Sequence, residues 1–243
     1  MPTATVGALK WDETGERFYQ NGVKKGVLYT YDSTNKVYNT GVAWNGLTSI
    51  QVTPSGGEAS DQYADDMKYL SLRSVEENGA TIEAFTYPDE FAECDGSKLV
   101  TGTTGLMARA QVRKMFGLCW RTNIGNDLSD EAGYIIHILY GCQAAPSERQ
   151  YQTINDSPEP ITFSWEVTTT PPTLNLTGFR NTSLFEVDSR DFSTEAEKAL
   201  LTGLENKLYG TSTEDSSTHV ITPATDPALP LPAELITLMT PAG

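Results

Sequence analysis

Apolar and polar residues alternate with a period of two over much of this chain. Thr48, Ile50 and Val52 fall on one side and Ser49, Gln51 and Thr53 on the other, while Ile161, Phe163, Trp165 and Val167 alternate with Thr162, Ser164, Glu166 and Thr168. Successive strand side chains point to opposite faces, so each run predicts a strand with one face toward a core. Strands are also predicted over Met67–Arg73, 80–87 and Leu184–Asp188. In 109–122, Ala110, Val112, Phe116, Leu118 and Trp120 share one face and Arg109, Gln111, Arg113 and Arg121 the other, with Lys114 out of phase. Residues 134–142 are apolar on both faces, which predicts a strand covered from both sides.

Between these runs stand turn residues. Asn21-Gly22 suits a two-residue hairpin turn, because both central positions favour positive φ; it predicts a hairpin before the strand through Val27, Tyr29 and Tyr31. Asp32-Ser33-Thr34-Asn35 then returns the chain through Val37 and Tyr38, and Glu76-Glu77-Asn78-Gly79 predicts the turn between the strands at 67–73 and 80–87. Pro88 ends the second of these. Residues 89–95 predict one helical turn carrying Phe91 inward, closed by Gly96. Its acids Asp89, Glu90, Glu93 and Asp95 lack the ligand spacing of a calcium loop and predict a solvated acidic face.

The pattern changes period once. Ala196, Leu200, Leu204 and Leu208 recur every four residues, Thr194 with Glu197 forms a capping box, and Gly210 stands at the end, so 194–209 predicts an amphipathic helix docked on a sheet. After a domain at 1–210, residues 211–243 are rich in Ser and Thr and carry Pro223, Pro227, Pro230, Pro232 and Pro241. That composition predicts an extended or mobile segment, with Leu235 to Met239 apolar enough to be a strand or a docking segment.

One connection is too long for a turn. Residues 54–66 are polar and breaker-rich yet include Tyr63, with Met67 just beyond, which a solvated linker does not need. A long ordered loop in a compact domain usually serves function. Pro54, Ser55, Gly56, Gly57, Glu58, Tyr63, Asp65, Asp66 and Met67 are therefore the candidate site, a protruding loop that contacts another subunit.

Charge narrows the partners. The 243 residues carry 17 Lys and Arg against 32 Asp and Glu, a formal net charge of -15. A field of that sign repels phosphate backbones and anionic membranes. Residues 1–10 do not read as a secretory leader, and no run reaches the ~20 apolar residues of a membrane helix. Cys94, Cys119 and Cys142 are odd in number and far apart, which predicts reduced thiols. His137, inside the apolar run, reads as a hydrogen-bonded core or interface residue. Trp11, Trp44, Trp120 and Trp165 lie in or beside strand-like runs, where packing is the default. No nucleophile elbow, phosphate loop, dinucleotide fingerprint or zinc-protease motif occurs, so neither an enzyme nor a cofactor is expected. Asn175-Leu176-Thr177 and Asn181-Thr182-Ser183 match the glycosylation pattern by chance if no leader is present.

Several stretches together carry a resemblance: Trp44-Asn45-Gly46-Leu47, the loop from Pro54-Ser55-Gly56-Gly57-Glu58-Ala59 to Tyr63-Ala64-Asp65, Tyr87-Pro88-Asp89-Glu90-Phe91-Ala92-Glu93-Cys94-Asp95-Gly96, and Gln111-Val112-Arg113-Lys114-Met115-Phe116-Gly117. Over roughly Val6 to Tyr209 their order resembles the major tail protein of long-tailed bacteriophages. The resemblance implies a β-sandwich flanked by a helix, six copies to a ring, and rings stacked with other tail proteins into a tube through which double-stranded DNA passes. It implies a place in the virion after synthesis in the host cytoplasm. The residue pattern alone gives a mainly β domain with one docking helix, a long protruding loop and an acidic surface. Two readings of other classes remain: a carbohydrate-binding β-sandwich, which needs exposed aromatic rings clustered on one face, and a glycoside-active enzyme, which needs two converging carboxylates.

Overall fold

The computed structural model describes residues 9–149, 151, 153, 160–214 and 221–241. The leader expectation at 1–8 and part of the tail expectation, at 215–220, fall outside the described residues. The chain opens with β1 (Tyr19–Asp32), β2 (Val37–Tyr38), β3 (Val42–Ala43) and β4 (Leu47–Ser55). It continues through β5 (Ala59–Ala64), β6 (Met67–Arg73), β7 (Glu77–Ala84), a 3-10 turn at Asp89–Glu93, β8 (Lys98–Leu99) and β9 (Met107–Ala108). Then follow β10 (Phe116–Gly125), β11 (Gly133–Ala144), β12 (Phe163–Thr169), β13 (Leu184–Asp188), α1 (Glu195–Tyr209), β14 (Thr211–Glu214), β15 (Ile221–Thr225) and α2 (Pro232–Leu238). The fold is mainly β.

One large antiparallel sheet organises it, in the order β2-β1-β10-β11-β12-β7-β4, with β3 beside β1 and β13 beside β11. The sheet curls. Leu28, Phe116, Leu118 and Leu139 from one half share a core with Ile82, Trp165 and Val167 from the other. Phe91 of the 3-10 turn fills its centre, with ring centroids 5.4 Å from Phe116 and 5.0 Å from Trp165. The opposite face packs Val27, Tyr29, Ile136, Ile138 and Tyr140 against Leu201, Leu204 and Leu208 of α1. Strand β11 feeds both cores, as its two-sided apolar run predicts. Its phase changes at Gly141, whose φ of +64° and close approach to the Thr170 carbonyl exclude a side chain, so Tyr140 faces the helices and Cys142 the aromatic core.

Several expectations are corrected. Asn21-Gly22 is no hairpin turn. Residues 19–32 form one strand, and the positive φ of Gly22 and Lys25 accompanies two register shifts against β10. The local preference of Asn-Gly is absorbed by a bulge, because β10 pairs with both halves of the strand. The predicted strand at 109–122 starts only at Phe116. Upstream, Ala110 has positive φ, Val112 is exposed, and the chain is tied to the 3-10 turn by hydrogen bonds from Gln111 N–H to the Gly96 carbonyl and from Lys114 N–H to the Glu93 carbonyl. Arg109, Arg113 and Arg121 therefore do not share one strand. Glu77, Asn78 and Gly79 lie within β7, paired with Ser55, Pro54 and Thr53, rather than in a turn. Asp95 is not solvated: it is buried and paired with Arg149, with Arg109 3.6 Å away.

The helix forms where predicted, with both hydrogen bonds of the capping box between Thr194 and Glu197. Its buried stripe is Leu201, Leu204 and Leu208; Leu200 is half-buried and Ala196 exposed. Spacing of three and then four follows the 3.6-residue turn more closely than a strict repeat of four. The tail is also more ordered than its composition predicts. Leu229 and Leu235 are buried in the helix-side core, Gly41 N–H donates to the Pro227 carbonyl, and Tyr140 O–H donates to the Pro230 carbonyl. β14 and β15 pair as a two-stranded ladder in which Pro223 stands opposite Ser212; beyond it the chain lies as a strap, and Pro232 sits in the first turn of α2.

Candidate functional site

The predicted loop at 54–66 is half of a β-ribbon. The β4–β7 ladder runs outward to Ser55 opposite Glu77, so Pro54 and Ser55 belong to its last rungs. Gly56 and Gly57 then take φ of 79° and 72°. A Cβ on Gly56 would stand 2.4 Å from the Val75 carbonyl oxygen, so only glycine lets the chain cross here. Glu58 leads into β5, which pairs with β6 from Ala59 opposite Arg73 to Ala64 opposite Met67. Asp65 and Asp66 close the tip with φ of 50° and 60°, the two left-handed positions of a type I′ hairpin turn.

The candidate residues are thus brought together in one arm, but divided along it: Gly56, Gly57 and Glu58 at the neck, Tyr63, Asp65, Asp66 and Met67 at the tip. Every residue of β5 and β6 is exposed. Directly opposed residues share a face of the ribbon. Leu72 opposite Ser60 and Leu70 opposite Gln62 give one face an apolar stripe. The other holds Arg73, Ser71 and Asp61; Lys68 joins it after a register shift and binds Asp61 at 2.7 Å. The Lys68 hydrogen bond holds the Asp61 carboxyl below its ordinary range. Sequence reasoning missed Tyr69, Leu70 and Leu72 as surface residues, because alternation announces a strand without saying what covers it.

The other candidates are packed. Trp44, Trp120 and Trp165 are buried, so they form no surface platform; Trp11, contrary to the packing default, is 75% exposed. His137 lies stacked on Trp120 with ring centroids 5.0 Å apart. Its Nδ1 is 2.9 Å from Glu186 Oε1 and its Nε2 2.9 Å from the Thr122 hydroxyl. Burial lowers its pKa, with the Glu186 carboxylate opposing. The order hydroxyl, imidazole, carboxylate is that of a nucleophile triad, but Thr122 sits mid-strand opposite Ile135 and is not among the residues lining the groove beside β13. All three cysteines are free and buried, and burial pushes the Cys94 and Cys119 thiols up to about 12.

Among the described residues no cluster of three or more His, Cys, Asp or Glu side chains is placed to hold a metal ion, and no helix is long and apolar enough to cross a membrane. Comparison with known proteins gives no matching family model and no matching curated sequence.

Proposed function

We propose that the chain is a structural subunit of a phage tail tube, its curled sheet a sandwich of the tail-tube type, assembling as six-membered rings stacked around a bore. The observation that carries this reading is the arm. A two-stranded ribbon is marginal alone in water, yet this one stands off the body with Leu70, Leu72, Tyr63 and Tyr69 exposed. Exposed apolar side chains on an ordered ribbon, Leu70 and Leu72 on one face and Tyr63 on the other, support a surface for another protein. A subunit that must join many copies of itself needs such a projection, and a binding module for a small ligand does not.

The charge supports the second half of the reading. Six copies of a chain with a net charge of -15 give the bore walls a field that repels phosphate, so DNA passes without being held. Part of the cationic charge is paired within the chain: Arg109 and Arg149 with Asp95, Arg121 with Glu205, Lys114 with Glu93. Other tail proteins would cap the ends of the tube in the virion. For the sugar-binding alternative, exposed rings among the described residues are spread over the arm (Tyr63, Tyr69) and separate strand ends (Phe18 and Tyr19, Phe85) rather than gathered on one face, and the paired acids Asp65 and Asp66 lie together at the arm's tip.

The test is negative-stain microscopy of the concentrated full-length protein, beside a variant in which residues 58–74 are replaced by a short Gly-Ser link. Rings or tubes from the parent, and a folded variant that forms neither, support the proposal. A parent that stays monomeric up to its solubility limit overturns it, and normal tubes from the variant remove the arm from the mechanism.

A further inference from the structure

Among the described residues, the large sheet has an edge with no strand beside it: β13 pairs with β11 and with no other strand. Tyr140 N–H donates to the Ser183 carbonyl, and the alternation of an antiparallel ladder then turns the backbone groups of Phe185 and Val187 inward to β11. Those of Leu184, Glu186 and Asp188 point outward. Leu184 meets the Thr182 hydroxyl on both its N–H and its carbonyl, which leaves Glu186 and Asp188 as a short open edge. An open edge is a template for another strand.

Beyond that edge the floor is already laid. A groove of about 300 Å³ runs between β13 and α2, lined by Phe185, Val187, Phe192, Leu235, Ile236 and Met239. A strand added to β13 lies over this groove, with every second side chain directed into it. The rim carries exposed Glu186 and Asp191, with Asp188, itself held by Arg190 at 2.6 Å, between them. The edge and the groove together ask for an extended segment with alternate apolar side chains and basic residues.

Among the described residues, β6 is such a segment with a free edge. β6 reads Met67-Lys68-Tyr69-Leu70-Ser71-Leu72-Arg73, has no acid, pairs only with β5 and is exposed throughout. β5 carries Asp61 and no base. Arg73 forms no ion pair among the described residues. We infer that the open edge of β13 and its groove accept the outer edge of β6 from a second copy of the chain, with the Leu70 and Leu72 stripe laid against α2 and the basic residues of β6 against the acidic rim. This rests on the self-assembly reading and supplies its missing half, the surface that receives the arm. A heterologous contact of this kind, arm to groove, leaves a second arm and a second groove open at the ends, so it propagates as a ring or stack requires.

The edge geometry gives a direct test. Val187 bonds inward, so toward an added strand it occupies a non-hydrogen-bonded position, where facing Cα atoms come within about 4.5–5.5 Å, inside disulfide range. The three native cysteines are buried and do not compete. Full-length Val187→Cys protein is mixed with Leu70→Cys or Leu72→Cys protein, each with its own tag, and oxidised; Val187→Cys with Thr222→Cys is the control. The expected result is a mixed dimer with one arm position, formed at least about tenfold faster than the control because pairing raises the effective thiol concentration. Leu70→Asp, which changes a side chain exposed in the single chain, should suppress the Leu72→Cys crosslink while the protein stays folded. Crosslinking no faster than the control overturns the pairing, and tubes formed under the same conditions would leave the tail-tube reading standing. Crosslinked pairs without rings or tubes would keep the pairing and overturn that reading. A chain monomeric to its solubility limit overturns both.

Discussion

β6 and β11 are both apolar-rich antiparallel strands, and they end in opposite environments. In β11, Ile136, Ile138, Leu139 and Tyr140 are fully buried, with α1 and α2 on one face and the curled half of the sheet on the other. In β6, Tyr69 is 70% and Leu72 58% exposed, with no layer on either face among the described residues. Strand formation in the two rests on the same alternation and pairing. Burial comes from what is brought over them, and the neck at Gly56 and Gly57 carries β6 away from every covering element. An ordered apolar strand left bare by its own chain is, on the reading proposed above, a surface held for another chain.

The sharpest way to break this contrast is at the centre of the body. Trp165 is 1% exposed, with ring centroids 5.0 Å from Phe91, 5.5 Å from Tyr87 and 5.7 Å from Trp44. Trp165→Ala should cost about 3–5 kcal/mol, the range for deleting a large buried aromatic ring, measured by denaturant unfolding. A cost below about 1 kcal/mol would mean that the two halves of the sheet do not share a core, because exposed sites give changes of that small size.

The helix-side core gives the next largest effect and separates two stripes. Leu204 is fully buried against the sheet while Leu200 is half-buried. Leu204→Ala should cost about 2–5 kcal/mol and Leu200→Ala less than half as much. Equal costs would restore the repeat of four read from Ala196, Leu200, Leu204 and Leu208.

How much was legible follows from the range of the forces involved. The capping box at Thr194 and Glu197, β13, the inward Phe91 and the two-sided strand at 134–142 depend on neighbours in sequence, and all were readable. The Asn21-Gly22 bulge, the strap at 109–115 and the docked segment at 227–239 depend on what lies across the fold. β10 holds both halves of β1, the 3-10 turn holds Gln111 and Lys114, and Tyr140 holds Pro230. At the candidate site, the polar, breaker-rich run 54–66 marked a connection too long for a turn, but not the pairing of β5 with β6 inside it. The arm's second strand was assigned to the body because Leu70 and Leu72 carry the same pattern on a bare ribbon as in a core.

A smaller effect tests the junction of β10, β11 and β13. His137 bridges Thr122 and Glu186, and burial lowers its pKa below the ordinary value near 6.5. A base with a lowered folded pKa contributes stability that is full above about 6.5 and is lost as pH falls toward the folded value, since the unfolded chain takes up the proton first. Melting temperatures from pH 7.5 to 5 should therefore fall more steeply for the parent than for His137→Gln. Carboxylates titrate in both proteins, so the difference between the slopes isolates the imidazole. Parallel slopes would mean that His137 charges as readily in the fold as in the open chain.

The smallest expected change lies in the arm, and its smallness is the point. Leu72 is 58% exposed, opposite Ser60 on a ribbon with no layer over it. Leu72→Ser removes apolar surface that the single chain has hardly withdrawn from water, so little transfer free energy is lost. Unfolding of dilute, monomeric protein should shift by no more than about 0.5 kcal/mol, as for surface substitutions generally. The same substitution examined at concentrations where copies associate should weaken association, because the lost area is then buried in the partner. A loss above about 1 kcal/mol in the dilute protein would show instead that Leu72 packs on its own chain in solution. The arm would then be a folded flap of the body, and the contrast between β6 and β11 would fail at its weaker member.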